Sequence, residues 1–331
     1  MDWGAQALHE LVGFFGLGAL LELLAADGYR ALLSADGAKA LLYPVIPILL
    51  VYELLRTIAR RRFKLEDYRV PFLTLVANRL IGAVLSFGMV AACIALFQPY
   101  APFQAEIGPL GLIYGYLVWE FAHFVYHYLA HKVRLLWCLH STHHAPTAMN
   151  LSVNYAHLFL EAPYADIVRT TICILAGVSP PLLLLIMFID GLWGQFIHLG
   201  EHALGDGRLG RLHRWILTPA HHRVHHARNP LYMDTNFCNL LNVWDRAFGT
   251  YQAQREDIRI EYGITRPVRP GSFLDAYLGE FQVLLRDVLA APGWRNKLLY
   301  LAMPPGWSHD GRYKTALQSK REWLAQQQGA A

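Results

Sequence analysis

The sequence predicts an all-α, multi-pass integral membrane protein with about four transmembrane helices, a broken apolar hairpin and a cytosolic, histidine-rich helical cap. Three observations carry that prediction. Hydrophobic residues make up 54% of the 331 residues and charged residues only 16%, more apolar than an ordinary soluble domain. Four runs approach the length of about 20 mostly apolar residues that a helix needs to cross a bilayer core about 30 Å thick. Of the sixteen histidines, all but His9 and His309 fall between His123 and His226. A formal net charge of +4 with scattered Lys and Arg offers no basic stripe for a phosphate backbone, so lipid is favoured as a partner and nucleic acid is not.

The first run, Leu8 to Ala26, carries Glu10 and Glu22 and has no basic cluster at its front, so it reads as a helix rather than a cleavable leader. Lys39 to Leu55 is the second. Leu80 to Phe97 is the third, with Gly82, Ser86 and Gly88 as small residues for close helix packing. Leu110 to Tyr128 is the fourth, and Glu120, His123 and His127 stand in its last turns. Ionisable groups at that depth face a cavity or a partner and mark a function. Arg56, Arg60, Arg61, Arg62 and Lys64 follow the second helix, Arg79 begins the third, and Lys132 and Arg134 follow the fourth. The loop from Gln98 to Ile107 has no Lys or Arg. Positive charge prefers the cytosolic side, so the segments after helices two and four are expected in the cytosol.

The stretch from Ile167 to Ile197 is interrupted at Ser179-Pro180-Pro181, which leaves each half short for a crossing. It is expected to dip into or across the membrane as a bent hairpin and return, with Arg169 near its entrance. From about Tyr251 the chain turns polar and reads as a cytosolic cap that includes an amphipathic stretch, Phe273 to Leu289. The expected organisation is 1–109 for the N-terminal helices, 110–250 for the histidine-rich catalytic part and 251–331 for the cap. Cys93, Cys138, Cys173 and Cys238 form no CxxC pair and read as reduced, structural thiols.

Three histidine groups stand out: His127-x-x-x-His131, His140-x-x-His143-His144 and His222-x-x-His225-His226. Residues three and four apart share a helix face. The paired histidines that end the second and third groups diverge by about 100° around a helix and so send one ligand to each of two neighbouring ions. Zinc-finger chemistry lacks a nearby cysteine, and the HExxH pattern of zinc proteases is absent because Tyr128 follows His127. Imidazole suits iron, zinc and copper alike. An almost purely imidazole set beside apolar helices suits dioxygen activation for a lipid C–H bond better than hydrolysis, which favours iron.

The segments EFAHFVYHYLAHKVRLLWCLHSTHHAPTAMN (Glu120 to Asn150) and TPAHHRVHHARNPLYMDTNFCNLLNVWDRAFGT (Thr218 to Thr250) resemble the histidine boxes of the fatty acid hydroxylase and sterol desaturase superfamily. The similarity covers roughly Leu110 to Thr250. Members of that family are multi-pass membrane oxygenases with a non-haem di-iron centre, acting on sterols, fatty acyl chains, carotenoids or ether lipids. The broken hairpin and the segment Pro304 to Trp307 look most like its ether-lipid monooxygenase and bacterial sterol-desaturase-like branches.

The resemblance implies His127, His131, His140, His143, His144, His222, His225 and His226 as metal ligands, with His198 as an additional one. His157 and His202 compete with His198 to complete the shell. Glu120 resembles an acid that holds an imidazole N–H, and Asn150 and Asp234 join it as residues expected to act beside the metal. Asp234 and Asn236 are expected to hydrogen-bond box histidines or cap a turn. His123 and His221 are expected behind the ligands. Tyr128 stands where the family commonly has Arg. Trp244, Asp245 and Arg246 read as a structural ion pair and cap.

The chemistry so implied uses two irons, O2 and two electrons to hydroxylate or desaturate a lipid. No haem, flavin or GxGxxG fingerprint is present, so the electrons come from a separate reductase, cytochrome or pterin. Lipid is expected to enter sideways, past the hairpin and aromatics such as Trp119, Phe124, Trp137 and Trp193. The competing readings are a zinc-dependent lipid hydrolase with Glu120, Glu161 or Glu201 as base, and a histidine-rich metal-handling membrane protein. The expected location is a bacterial inner membrane, with the endoplasmic reticulum as the alternative, and the site faces the cytoplasm.

Overall fold

A computed structural model describes residues 4, 6, 10, 12, 13, 15, 17–29, 40–79 and 82–329. His9 and the starts of three expected helices, at Leu8, Lys39 and Leu80, lie outside them. The described residues form helices and turns with isolated bridges and no strand. They divide into two compact units, Met1–Phe63 with His202–Gly205, and Lys64–Glu201 with Asp206–Ala331.

The first unit holds α1 (Leu17–Asp27) and α2 (Val45–Ala59). Pro47 sits in the first turn of α2, where its missing N–H would have no helical partner anyway. Arg56 in the last turn suits the negative end of the helix dipole.

The second unit begins with α3 (Leu65–Arg79), a helix the sequence reading left within a basic loop. Glu66 and Asp67 favour its N-terminus. Then come α4 (Gly82–Phe97), α5 (Pro109–Lys132) and α6 (Arg134–His144). Val133, with φ −116° and ψ 116°, breaks the helix between α5 and α6. Helix α5 is about a turn longer than its apolar run suggests, because His131 and Lys132 continue it past Tyr128.

The broken hairpin is α7 (Glu161–Leu175) and α8 (Pro180–Ile197). The sequence reading made both halves short. Pro180 instead occupies the first position of α8, where proline is well tolerated, and α8 runs unbroken for 18 residues. At the hairpin tip Gly177 has φ +82°, and a Cβ there would lie 2.8 Å from the Phe103 carbonyl oxygen. The tip is tied by Ala105 N–H to Gly177 O (2.7 Å) and Ser179 N–H to Ala105 O (3.2 Å).

Among the described residues two helices are long and apolar enough to cross a membrane, Ala40–Ala59 and Pro180–Ile197, and two shorter apolar helices accompany them at Leu17–Ala26 and Val84–Tyr100. The sequence reading counts four spans, and α5, with its ionisable residues, is not one of these two. Large apolar side chains nevertheless point outward from α4 and α5: Val84, Phe87, Leu110 and Ile113 are all more than half exposed. Such a band marks an interaction surface rather than an ordinary wet one.

The core of the second unit is Trp119 and Ala122 from α5 against Cys173, Ile174, Leu182, Leu183 and Ile186 from the hairpin. Gly115 allows this approach, since a Cβ there would sit 2.8 Å from the Ile186 side chain. After α9 (Pro219–His225) and α10 (Val243–Ala247) come α11 (Phe273–Ala290), α12 (Gly293–Ala302) and α13 (Ala316–Gly329). Helix α11 packs on α6 through Leu284 and Cys138 and through the buried Arg134–Asp287 ion pair. The expected boundaries at 109/110 and 250/251 thus fall inside one compact unit, because α4 lies along α7 and α11 lies along α6.

Candidate metal centre

Helix α5 ends on the i, i+4 pair His127 and His131, and α6 carries His140, His143 and His144 in its last two turns. His198 caps the C-terminus of α8 and His226 that of α9, which carries His222 and His225. The short α9 is organised locally. Thr218 caps it, Pro219 opens it, and the Thr218 N–H donates to His221 Nδ1 at 3.2 Å.

These elements bring nine buried imidazoles into two adjacent groups: His127, His131, His140, His144 and His225 in one, His143, His198, His222 and His226 in the other. The stacked rings of His144 and His226, 4.3 Å apart, join them. The paired histidines of the second and third boxes do split between groups, His144 from His143 and His225 from His226. All nine are the residues expected from the sequence. His202 belongs to neither group, and His157 forms only a side group with His140 and Glu161.

Hydrogen bonds fix which ring nitrogen faces inward. His127 Nδ1 donates to Phe237 O (2.8 Å), His225 Nδ1 to Thr235 O (2.8 Å) and His198 Nδ1 to Gly194 O (2.5 Å). His140 Nδ1 donates to the Glu161 carboxylate. A carbonyl or carboxylate oxygen only accepts, so each of these rings carries its proton on Nδ1 and presents a bare lone pair at Nε2. The Nε2 atoms of His127 and His140 are 3.0 Å apart, and those of His198 and His222 are 2.9 Å apart. For His127 and His140, both protonated on Nδ1, two lone pairs aimed together at that distance ask for a cation between them.

The remaining contacts agree. His131 Nε2 and His225 Nε2 are buried with no hydrogen-bond partner. Two nitrogens about 2.1 Å from one ion lie about 3.0 Å apart at a right angle and about 3.4 Å apart at the tetrahedral angle. Five pairs of Nε2 atoms lie 2.9–3.2 Å apart, in the range of nitrogens that share one ion. Burial, and then the neighbouring imidazoles, holds His144, His222 and His226 well below the usual 6.5, and burial lowers His225 to about 3. Neutral imidazoles of this kind are ready ligands at neutral pH. The donor set therefore fits two metal ions.

The supporting residues differ from the sequence reading in instructive ways. Glu120 holds no imidazole. Its buried carboxylate accepts the backbone N–H groups of Asn239 (3.1 Å), Leu240 (2.6 Å) and Leu241 (2.9 Å). Asn150 caps the turn Leu151–Tyr155 by accepting from Ser152 N–H at 3.0 Å. Asp234 pairs with Lys132 and lies 3.4 Å from His131 Nδ1, so of the three it alone meets a box histidine. Asp234 and Asn236 both have φ +58°, a conformation Asp and Asn tolerate. The buckled loop thereby offers the Thr235 and Phe237 carbonyls to His225 and His127. Asn236 holds it to His221 O and Gln252 O.

Asp245 accepts from Phe237 N–H and Cys238 N–H, while Arg246 donates to Asn242 and the Arg214 carbonyl. They cap separate loops and are not the expected ion pair. His221 Nε2 meets the Tyr251 hydroxyl at 2.9 Å, and His123 lies 3.9 Å from Asp190, both behind the groups. Sequence reasoning missed the role of Glu161, which takes His140, His157 and the Tyr126 hydroxyl on one carboxylate. Its only signal was the i, i+4 spacing to His157.

A cavity of about 570 Å³ opens against both groups, lined by His127 and His140 of the first and His143, His198 and His222 of the second, with Tyr155, Gln195, Leu158 and Arg169. The expected entrance aromatics do not line it. Trp119 and Phe124 are core residues, Trp193 bonds the Leu217 carbonyl, and Trp137 stands at a smaller cavity.

Residues 112–250 match the family model described as fatty acid hydroxylase. Alkylglycerol monooxygenase from Xenopus tropicalis is 32% identical over 189 residues, 57% of this chain and 40% of that protein. The Homo sapiens alkylglycerol monooxygenase is 31% identical over 188 residues, with the same coverage. Ornithine lipid hydroxylase OlsE from Rhizobium tropici is 28% identical over 192 residues, 56% of each chain. The match spans about two fifths of the length of the alkylglycerol monooxygenases. No solved structure matches the chain.

Proposed function

We propose, from the fatty acid hydroxylase domain at residues 112–250, that this protein is a membrane-bound, non-haem di-iron oxygenase that hydroxylates or desaturates a C–H bond of a lipid. The observation that carries the reading is the set of nine buried imidazoles in two adjacent groups, five of which line a cavity of about 570 Å³. Imidazole suits iron and zinc alike, and the relatives' names, monooxygenase and hydroxylase, favour iron. When bound, the irons supply the oxidising chemistry, with O2 and two electrons from a separate donor. The relatives named for alkylglycerol and ornithine lipid make a polar lipid the substrate class, and an ether lipid the first to try.

The chain's own residues orient the imidazoles. Carbonyls of Phe237, Thr235 and Gly194 and the Glu161 carboxylate lock four imidazoles, which fixes the ligands before any metal binds. The carboxylates that a hydrolase would use as base are engaged: Glu120 on three backbone amides, Glu161 on His140 and His157, and Glu201 on the Tyr262 hydroxyl. The outward apolar band of α4 and α5, together with α8, meets the bilayer. On α11, Leu274, Leu285 and Leu289 are exposed at helical spacing and lie on the membrane surface. The histidine end is read as facing the cytoplasm, on the positive-inside preference of Lys132 at the end of α5.

The direct test is purified protein in alkylglycerol-containing vesicles with iron, a chemical reductant and isotopically heavy dioxygen. Heavy oxygen in the lipid product, or a new double bond, is expected. A product carrying oxygen from water alone would overturn the reading in favour of hydrolysis.

A further inference from the structure

Two cavities meet the histidine layer, and no histidine lines both. The larger is walled by His127, His140, His143, His198 and His222. The smaller, about 80 Å³, is walled by His131, His144 and His225, with Trp137 and Met233 beside them. The first group of five imidazoles is therefore divided, two rings facing one cavity and three the other. The histidines form a partition.

The smaller cavity reaches the surface through the polar C-terminal part of the chain. Its rim includes Arg228 and Lys314, whose side chains are 47% and 59% exposed and pair with Glu261 and Glu322. Paired charges of both signs leave no strong field to bar an anion. At its floor the unpartnered Nε2 atoms of His131 and His225 mark where a metal would be met. The space suits a few waters and is far too small for a lipid chain. A lipid seated in the larger cavity would close that approach, so a second reactant needs another way in.

We propose that the smaller cavity is the aqueous entrance to the first histidine group, admitting small water-borne molecules such as dioxygen and inorganic anions while lipid occupies the larger cavity. The inference rests on the reading of the centre as iron-binding.

Azide is the probe, followed by its absorbance on the ferric protein after rapid mixing, with the protein in alkylglycerol-containing vesicles so that lipid fills the larger cavity. Thr265→Trp at the exposed rim and Ala316→Trp at the start of α13 each fill the smaller cavity without touching a ligand. Ala162→Trp, at the larger cavity, is the control. Azide binding is expected to slow by about tenfold or more in the first two variants and to keep its wild-type rate in Ala162→Trp. An unchanged rate in Thr265→Trp and Ala316→Trp, or slowing in Ala162→Trp alone, would overturn the second entrance while leaving the iron reading intact. Wild-type protein that takes up no iron would instead sink that reading and the entrance with it. Should one filling variant fail to fold, the other decides.

Discussion

The Glu161 carboxylate accepts the Nδ1–H of His140 at 2.5 Å, and this single contact ties the hairpin helix α7 to the histidines of α6. The same oxygen takes the Tyr126 hydroxyl (2.8 Å), and its neighbour takes His157 Nδ1 (2.8 Å). One buried side chain thus sets the tautomer of a box histidine, anchors α5 and holds the histidine that stacks on His143 at 4.1 Å. A carboxylate behind a ligating imidazole also raises its basicity.

Glu161→Ala is expected to weaken metal retention by about 10–100-fold, with Glu161→Gln milder because its amide oxygen still accepts one of the bonds. Metal remaining after dialysis against a graded chelator series measures this. Wild-type retention in Glu161→Ala would show that the carboxylate is not holding His140.

Glu120 is a different case. Removing its carboxylate leaves three backbone N–H groups without acceptors, one of them buried at a cost of about 1–3 kcal/mol and two part-buried. Glu120→Ala should therefore lower the melting temperature sharply, and protein that remains folded at low temperature should keep its metal. Full stability with loss of product would place Glu120 in the chemistry instead.

His198 and His157 separate the additional ligand from its neighbour. His198→Ala opens the second group, and elemental analysis should find part of the metal lost. His157→Ala should keep the metal content, since His157 stands outside both groups. The reverse pattern would exchange their roles.

Gly177→Ala tests the hairpin tip. The position combines φ +82° with a 2.8 Å approach to the Phe103 carbonyl, so the variant should lose about 1–2 kcal/mol or more against chemical denaturation with its metal content unchanged. Undiminished stability would mean that the tip does not need its left-handed turn.

The histidine groups were legible because helical spacing alone splits His143 from His144 and His225 from His226. The hairpin break was legible in Ser179-Pro180-Pro181, although Pro180 opens α8 rather than shortening it. What stayed hidden was carried by the backbone. The Phe237 and Thr235 carbonyls that fix His127 and His225 have no side-chain signature, and a loop buckled at Asp234 and Asn236 is visible only once folded. Glu120 misled for the same reason: a buried acid near a histidine box reads as a partner for imidazole, while its partners are three amides more than a hundred residues away. Helix α3 went unread because its apolar residues, interrupted by Pro71, form no clear stripe.

The central claim is a two-iron centre built from histidine, and metal analysis of iron-replete, detergent-purified protein beside His143→Ala tests it most directly. The account predicts about two irons per chain in the wild type and loss of metal in the variant. Zinc alone under iron-replete conditions, or metal content indifferent to His143, would contradict it.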